Sequence, residues 1–435
     1  MMNDKQNLNV AIIGGGYAGM AAAVALADQD IQVTVFESAR QLGGRARGVV
    51  YHDTQLDNGQ HLLLGCYHTT LKLIGQVGGD IEQDFLRLPL QLDLHGHFTL
   101  RAPRLPAPLH LLLALLRAQG LTWAERISAA RFMLAMRKIK FIINKDISVD
   151  NFLAQHKQSR ALVQKLWEPL CIAALNTPLQ IASAQVLLNV LRDALNQQRS
   201  DSDMLLPRID FTELLPARAA RHVKKRGGHV LTSCGVESLA QHEYGMEITT
   251  KRGSMVFSHV ICALPPVAAA RLLTPMAALA PVISQINALQ HQPIYTVYLQ
   301  YPKQLRLPQA MLGLHQRASQ WLFDKGLIAG QHGLIASVIS AEGLHQGLSH
   351  DQLAQKVMTE LSDEFGFPSN PLWYKVIAEK RATFACTPAL DRPTQQTQMS
   401  CLLLAGDYTR GDYPATLEGA VQSGLICAAL LNPDS

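Results

Sequence analysis

The first patterned stretch of the chain is a short, mostly apolar run, Leu8–Ile13, that stops on three glycines, Gly14-Gly15-Gly16. A run this short, with β-branched residues and a glycine stop, predicts a buried strand. The alanine-rich stretch that follows, to about Ala27, predicts a helix, and a second apolar run, Ile31–Phe36, predicts another strand ending at Glu37. The far end of the chain repeats this grammar. Ser400–Ala405 is an apolar strand stopped by Gly406-Asp407, and a helix opens at Pro414–Ala420 and runs to about Leu431. Between the ends, Leu88–Leu100 alternates like strands with a turn at His95-Gly96. Residues 103–200 read mostly as helices, Gly227–Pro266 as a hairpin-like stretch, and Ile294–Gln300 and Leu334–Ser340 as strands of a second sheet.

Composition narrows the class. At 435 residues, 48% of them apolar and 17% charged, the chain is expected to be globular and to hold two domains. Its seven cysteines are scattered and odd in number, with no Cys-x-x-Cys pair, so neither a disulfide framework nor a metal cluster is expected and a reducing compartment is. The first apolar run is too short for a signal peptide, and no run approaches the roughly 20 residues of a membrane span. A cytoplasmic protein follows, free or held against the inner face of the cell membrane. Charge is uneven. Residues 101–145 carry nine basic residues and one acid, Glu125, against a net charge of +5 for the whole chain. Leu109–Leu116 and Phe132–Ile143 interleave apolar residues with these cations, a composition suited to an anionic membrane surface. Few aromatics and no nucleic-acid motif accompany it, so a nucleic-acid partner is not expected.

The glycines carry candidate chemistry. Gly14, Gly16 and Gly19 form Gly-x-Gly-x-x-Gly between a strand and a helix, the setting in which that motif binds a dinucleotide. Gly14 permits the tight turn, Gly16 lets backbone N–H groups approach a pyrophosphate, and Gly19 lets helix pack on strand. Glu37 stands where a carboxylate accepts bonds from a ribose hydroxyl. Gly44 and Arg45 follow closely and add N–H donors and a cation near the same pyrophosphate. The loop alone leaves NAD and FAD open. At the other end, Asp407 follows a strand and can bond polyol hydroxyls, and a helix N-terminus can face the electron-rich edge of a reduced flavin.

Together these elements resemble the FAD-dependent amine oxidase and phytoene desaturase superfamily. The resemblance implies an α/β fold: a Rossmann-type FAD-binding domain, glutathione-reductase-like, built discontinuously from 1–88, 218–275 and 395–435. An α+β substrate domain would be inserted as 89–217 and 276–394. It implies FAD as cofactor, with Gly14, Gly16, Gly19, Glu37, Gly44 and Arg45 on the ADP half. Val236 would offer its backbone to the adenine, and Gly406, Asp407 and Leu417 would serve the ribityl–isoalloxazine half. No second Gly-x-Gly-x-x-Gly is present, so a built-in NADPH domain is not expected; electrons would come from an external donor or flavin reductase, or from the substrate.

Three further runs, Leu56–Tyr67, Leu166–Pro178 and Leu187–Asp193, resemble one branch of that superfamily, the hydroxysqualene dehydroxylases of bacterial hopanoid synthesis. That resemblance implies reduction of hydroxysqualene to squalene by reduced FAD. Hydroxide leaves poorly from the allylic alcohol unless an acid protonates it. His61 is the first candidate acid and Asp210 the second; against these roles, His61 can cap local backbone and Asp210 can sit in a turn. Two readings compete. One is an oxidative carotenoid or isoprenoid desaturase, or an amine oxidase, on the same fold; Thr416, where amine oxidases place an aromatic, weakens the amine version. The other is a prenyl-lipid-binding module without FAD, against which the intact glycines, Glu37 and Asp407 stand.

Overall fold

The computed structural model describes residues 8–195 and 197–432. The first apolar run is strand Asn9–Ile13, and the glycine break opens helix Tyr17–Ala27, ten of whose eleven residues are buried. A helix apolar on every side must be enclosed on every side. Here the sheet closes one flank, and helices Leu417–Leu430 and Pro216–Lys225 pack against the others. The alanines keep those neighbours close.

Asn9–Ile13 is the central strand of a five-stranded parallel sheet, in the order His229–Leu231, Gln32–Phe36, Asn9–Ile13, His259–Cys262, Leu402–Leu404. Ligands of open α/β sheets bind beyond the carboxyl ends of such strands. Both glycine breaks found in the sequence leave the sheet at that edge. The stretch before His259 is a three-stranded antiparallel meander, Val236–His242, Gly245–Thr250 and Gly253–Phe257, where a single hairpin was the expectation.

A second sheet has seven strands, ordered Trp373–Phe384, His291–Gln300, Leu334–Ser340, Trp321–Asp324, Met311–Gly313, Gln91–Leu94, Phe98–Arg101. Every residue of Leu334–Ser340 is buried, because layers cover both faces. Helix His350–Phe365 lies over one; the helical region through Leu195 shares a core with the other. A small sheet of Leu63–Leu64, Met204–Pro207 and Phe85–Leu88 bridges toward the parallel sheet.

Phe211, Leu214 and Leu215 share the core of helix Tyr17–Ala27. The core around that helix therefore takes in residues on the far side of the expected boundary at 218. Residues 1–7 and 433–435, assigned to that domain from sequence, and Asn196 of the insert lie outside the described residues.

Candidate active site

The two chain ends converge on one edge of the parallel sheet. Gly14 has φ +111, and a Cβ there would stand 2.6 Å from the Ala263 carbonyl oxygen. A Cβ on Gly19 would stand 2.0 Å from the Gly14 carbonyl oxygen. Both glycines are required by the protein's own packing. Gly16 differs: its backbone is extended (φ −79, ψ −175), and the nearest atom to an added Cβ is the Gly44 Cα at 3.9 Å. Among the described residues no atom comes close enough to require the missing side chain, so the face of Gly16 is open. Gly43 and Gly44 form its opposite wall, with Gly43 N–H bonded to the Gly15 carbonyl at 2.9 Å.

Glu37 ends the second strand and folds back on this loop. Its carboxylate accepts the Gly15 N–H at 2.8 Å and the Ala39 N–H at 2.8 Å. The Ser38 hydroxyl also donates to the oxygen that takes Ala39, at 3.2 Å, so the oxygen on Gly15 is the one that keeps a lone pair for a further donor. Ser233 and Cys234 donate to the Ala39 and Glu37 carbonyls, which fixes Val236, the first residue of its strand, on the same side.

Arg45 turns away from the glycines. Its guanidinium donates to Asp407 at 2.5 Å and to the Ala382 carbonyl at 2.7 Å. Burial works against the guanidinium's charge, and the Asp407 carboxylate more than restores it. Gly406, at φ +155, brings the chain against the Tyr408 ring, and Asp407 emerges 8% exposed. Helix Leu417–Leu430 starts next door, capped by Thr416, whose side chain takes the Gly419 N–H at 3.1 Å. Leu417 and Glu418 are left with first-turn N–H groups that have no intrahelical acceptor. Arg45, His61 and Tyr67 lie deep in the fold yet each keeps accessible surface, so they line an internal cleft.

Neither candidate acid has the expected form. Asp210 is the N-cap of helix Phe211–Leu214, its carboxylate holding the Thr212 and Glu213 N–H groups at 2.9 and 3.2 Å. Its acceptor oxygen is thus engaged by local backbone rather than turned to the cleft. His61 does reach the cleft. Its Nδ1 is 2.8 Å from the Gly59 carbonyl oxygen, which can only accept, so the proton sits on Nδ1 and Nε2 is a bare acceptor. Burial lowers the imidazole pKa, the Gly59 bond opposes that, and Arg45 adds to it. The neutral imidazole is favoured, and its Nε2 can accept a hydrogen bond inside the cleft.

Nearby in the fold are buried charged groups that sequence reasoning passed over. Asp57 and Lys325 are both buried behind the Asn58–His61 turn; burial pushes the Asp57 carboxyl up to about 6 against the pull of Lys325. Lys325 Nζ donates to Gln60 at 3.2 Å. The only local signal was a lysine directly after the apolar strand Trp321–Asp324. Glu418 is 1% exposed and holds the Thr69 and Thr70 N–H groups at 3.1 and 2.9 Å, tying helix His68–Gln76 to the C-terminal helix.

The family model described as flavin-containing amine oxidoreductase matches residues 17–432. The chain belongs to that family. It is 28% identical to a hydroxysqualene dehydroxylase of Rhodopseudomonas palustris, over 97% of this chain and 98% of that one. A zeta-carotene desaturase of Arabidopsis thaliana is 23% identical, over 96% and 84%. Among solved structures, a redesigned putrescine oxidase has a TM-score of 0.75 at 14% identity, covering 99% of each chain. Cyclohexylamine oxidase from Brevibacterium oxydans has 0.69 at 17%, covering 97% of this chain and 98% of that one. The flavin of the family fits the residues present. A dinucleotide would fit the unfilled face of Gly16, the first-turn amide at Leu417 and the cleft beside Arg45.

Proposed function

We propose that this chain reduces the allylic alcohol hydroxysqualene to squalene. The observation that carries the reading is its end-to-end correspondence with named hydroxysqualene dehydroxylases, together with their motif-like runs at Leu56–Tyr67, Leu166–Pro178 and Leu187–Asp193. In the reaction a C–O bond is replaced by C–H, and the oxygen leaves as water after gaining one proton. FAD, when bound and reduced, supplies the hydride.

The protein's part is binding, orientation and exclusion of water. Gly14–Gly19 and Gly44 would take the pyrophosphate, Glu37 and Val236 the adenosine, and Asp407 with the Leu417 amide the flavin half. His61 Nε2 is an acceptor inside the cleft, suited to orienting a donor. Electrons would come from an external donor or reductase.

Substrate delivery favours a peripheral membrane position on the inner face. At ~0.8 kcal/mol per CH2-sized group, a C30 chain gains on the order of 20 kcal/mol by avoiding water. Among the described residues no helix is long and apolar enough to cross a membrane. Helices Leu109–Arg117 and Trp123–Lys138 nevertheless expose apolar side chains. Trp123 (66%), Ile127 and Leu134 fall at helical spacing with Arg131 and Lys138 on one face, and Ile139 and Ile142 follow, also exposed. Such a face suits an anionic bilayer.

Incubating hydroxysqualene with the protein and photoreduced FAD tests the reaction; squalene is the expected product. Anaerobic bleaching of oxidised flavin by a squalene-like hydrocarbon, with no squalene formed from the alcohol, would favour the oxidative desaturase reading instead.

A further inference from the structure

Residues 405–416, between the last strand of the parallel sheet and helix Leu417–Leu430, form neither helix nor strand. This connection carries Asp407 and ends on the Thr416 cap. Without a backbone ladder, its shape is set by the side chains that reach into it. One end is pinned at Gly406, whose N–H goes to the Ser423 hydroxyl at 3.0 Å and whose carbonyl takes the Thr409 hydroxyl at 2.9 Å. Gln395 and Asn189 hold the Arg410 and Asp412 carbonyls in solvent-exposed bonds. The remaining grip is buried and comes from Arg392. One guanidinium nitrogen donates to the Asp407 and Tyr413 carbonyls at 3.4 and 3.0 Å, and the other donates to the Gly411 carbonyl. A planar fork is what lets one side chain gather carbonyls from both ends of a loop.

Arg392 is 9% exposed. The nearby carboxylates are engaged elsewhere, Asp407 with Arg45 and Asp412 with Arg192. Burial pushes the guanidinium pKa down and Arg410 adds to the fall, while Cys386, Asp407 and Asp412 restore only part. A buried cation held by carbonyl dipoles rather than by a carboxylate is costly, so filling space does not account for it. Arg392 also ties the loop to the second sheet. Its guanidinium carbon lies 5.2 Å from the centroid of the Phe384 ring. Phe384 ends strand Trp373–Phe384, and two residues earlier the Ala382 carbonyl takes Arg45. Two arginines from opposite halves of the chain therefore hold Asp407 against one strand end, Arg45 by the carboxylate and Arg392 by the carbonyl.

We propose that Arg392 is a positioning residue of the flavin site. It folds the 407–413 loop into the shape that presents Asp407 and the start of helix Leu417–Leu430 to the flavin half of FAD. Its buried charge adds to the positive end of that helix and favours the reduced, anionic flavin over the oxidised one. A charge in a dry interior acts with little screening, so it need not touch the ring.

The inference rests on the reading of Asp407 and Leu417 as the flavin half of the site, and it holds whichever substrate is reduced. Apoprotein of wild type, Arg392→Lys and Arg392→Met is titrated with oxidised FAD, and the midpoint potential of each holoprotein is measured anaerobically against a reference dye. Arg392→Met is expected to weaken oxidised FAD roughly tenfold and reduced FAD roughly a hundredfold. The extra tenfold is a potential lower by about 30 mV for a two-electron couple. Arg392→Lys keeps the charge but not the fork, so it should lose affinity for both forms alike and keep the wild-type potential. An unchanged potential in Arg392→Met overturns the proposal, as does a lower apoprotein melting temperature with unchanged FAD affinity. If Arg392→Met does not fold, Arg392→Lys decides, and wild-type FAD affinity there overturns the positioning role. If wild type takes up no FAD, the site reading itself falls; normal uptake with unaltered variants sinks the role of Arg392 alone.

Discussion

Arg45 and Asp407 stand 362 positions apart in the chain, and their side chains meet at 2.5 Å across the cleft. The pair joins the glycine loop of the first strand to the last strand of the same sheet. Replacing Asp407 by Asn removes the charge that offsets the burial of Arg45. We expect FAD affinity to fall roughly 10–100-fold, about 1.4–2.8 kcal/mol, by titration of the apoprotein. A double-mutant cycle with Arg45→Met should be non-additive; additive losses would mean that the two residues act separately.

Gly16 and Gly19 should separate cofactor binding from folding. Gly16→Ala places a methyl where no protein atom is nearer than 3.9 Å, on a backbone that alanine accepts. The apoprotein should melt at the same temperature or slightly higher, since such a change stabilises by about 0.4–1 kcal/mol, while FAD binding weakens at least about tenfold. Gly19→Ala drives a methyl into the Gly14 carbonyl and should destabilise the apoprotein by about 1–3 kcal/mol or more. Equal FAD affinity in wild type and Gly16→Ala would show that the open face is not a phosphate seat.

His61 has a pH signature. Its folded pKa lies below its unfolded value near 6.5, so the unfolded chain binds the extra proton first. The associated stability is complete above about pH 6.5 and drains away as pH falls toward the folded value. His110, His259, His291 and His345 are lowered by burial in the same sense. Thermal melts of His61→Gln between pH 5 and 8 should therefore show a shallower acid decline than wild type, not a flat one. An unchanged profile would contradict a neutral, buried His61.

Membrane contact is checked by flotation with anionic liposomes. Reversing Arg131, Arg137, Lys138 and Lys140 to Glu should release most of the bound protein, and raising salt should do the same to wild type. Retention by the quadruple variant would move the docking face elsewhere on the molecule.

Much of this architecture was legible in the sequence because its signals are local. The strand–glycine–helix units at Leu8–Ala27 and Ser400–Leu431 each announce themselves within one short stretch, and both form where expected. The acid candidates rested on local signals too. Asp210 and His61 were placed by neighbouring sequence, and neighbouring backbone is what occupies them: the cap of Phe211–Leu214 and the carbonyl of Gly59. The meeting of Arg45 with Asp407 depends on tertiary closure. Phe211 crossed the expected domain boundary because its side chain follows the core around helix Tyr17–Ala27, whatever domain its neighbours belong to.

The strand order has a consequence for biosynthesis. The centre of the parallel sheet is made first, but its neighbour His259–Cys262 follows more than 200 residues later and its edge strand Leu402–Leu404 almost last. A ribosome-bound chain therefore carries a glycine loop with no second wall and an apolar helix whose largest partner, Leu417–Leu430, has not been translated. Flavin capture is then a late, post-translational event, and the exposed alanine helix of the nascent chain is a natural client for a chaperone until it is covered.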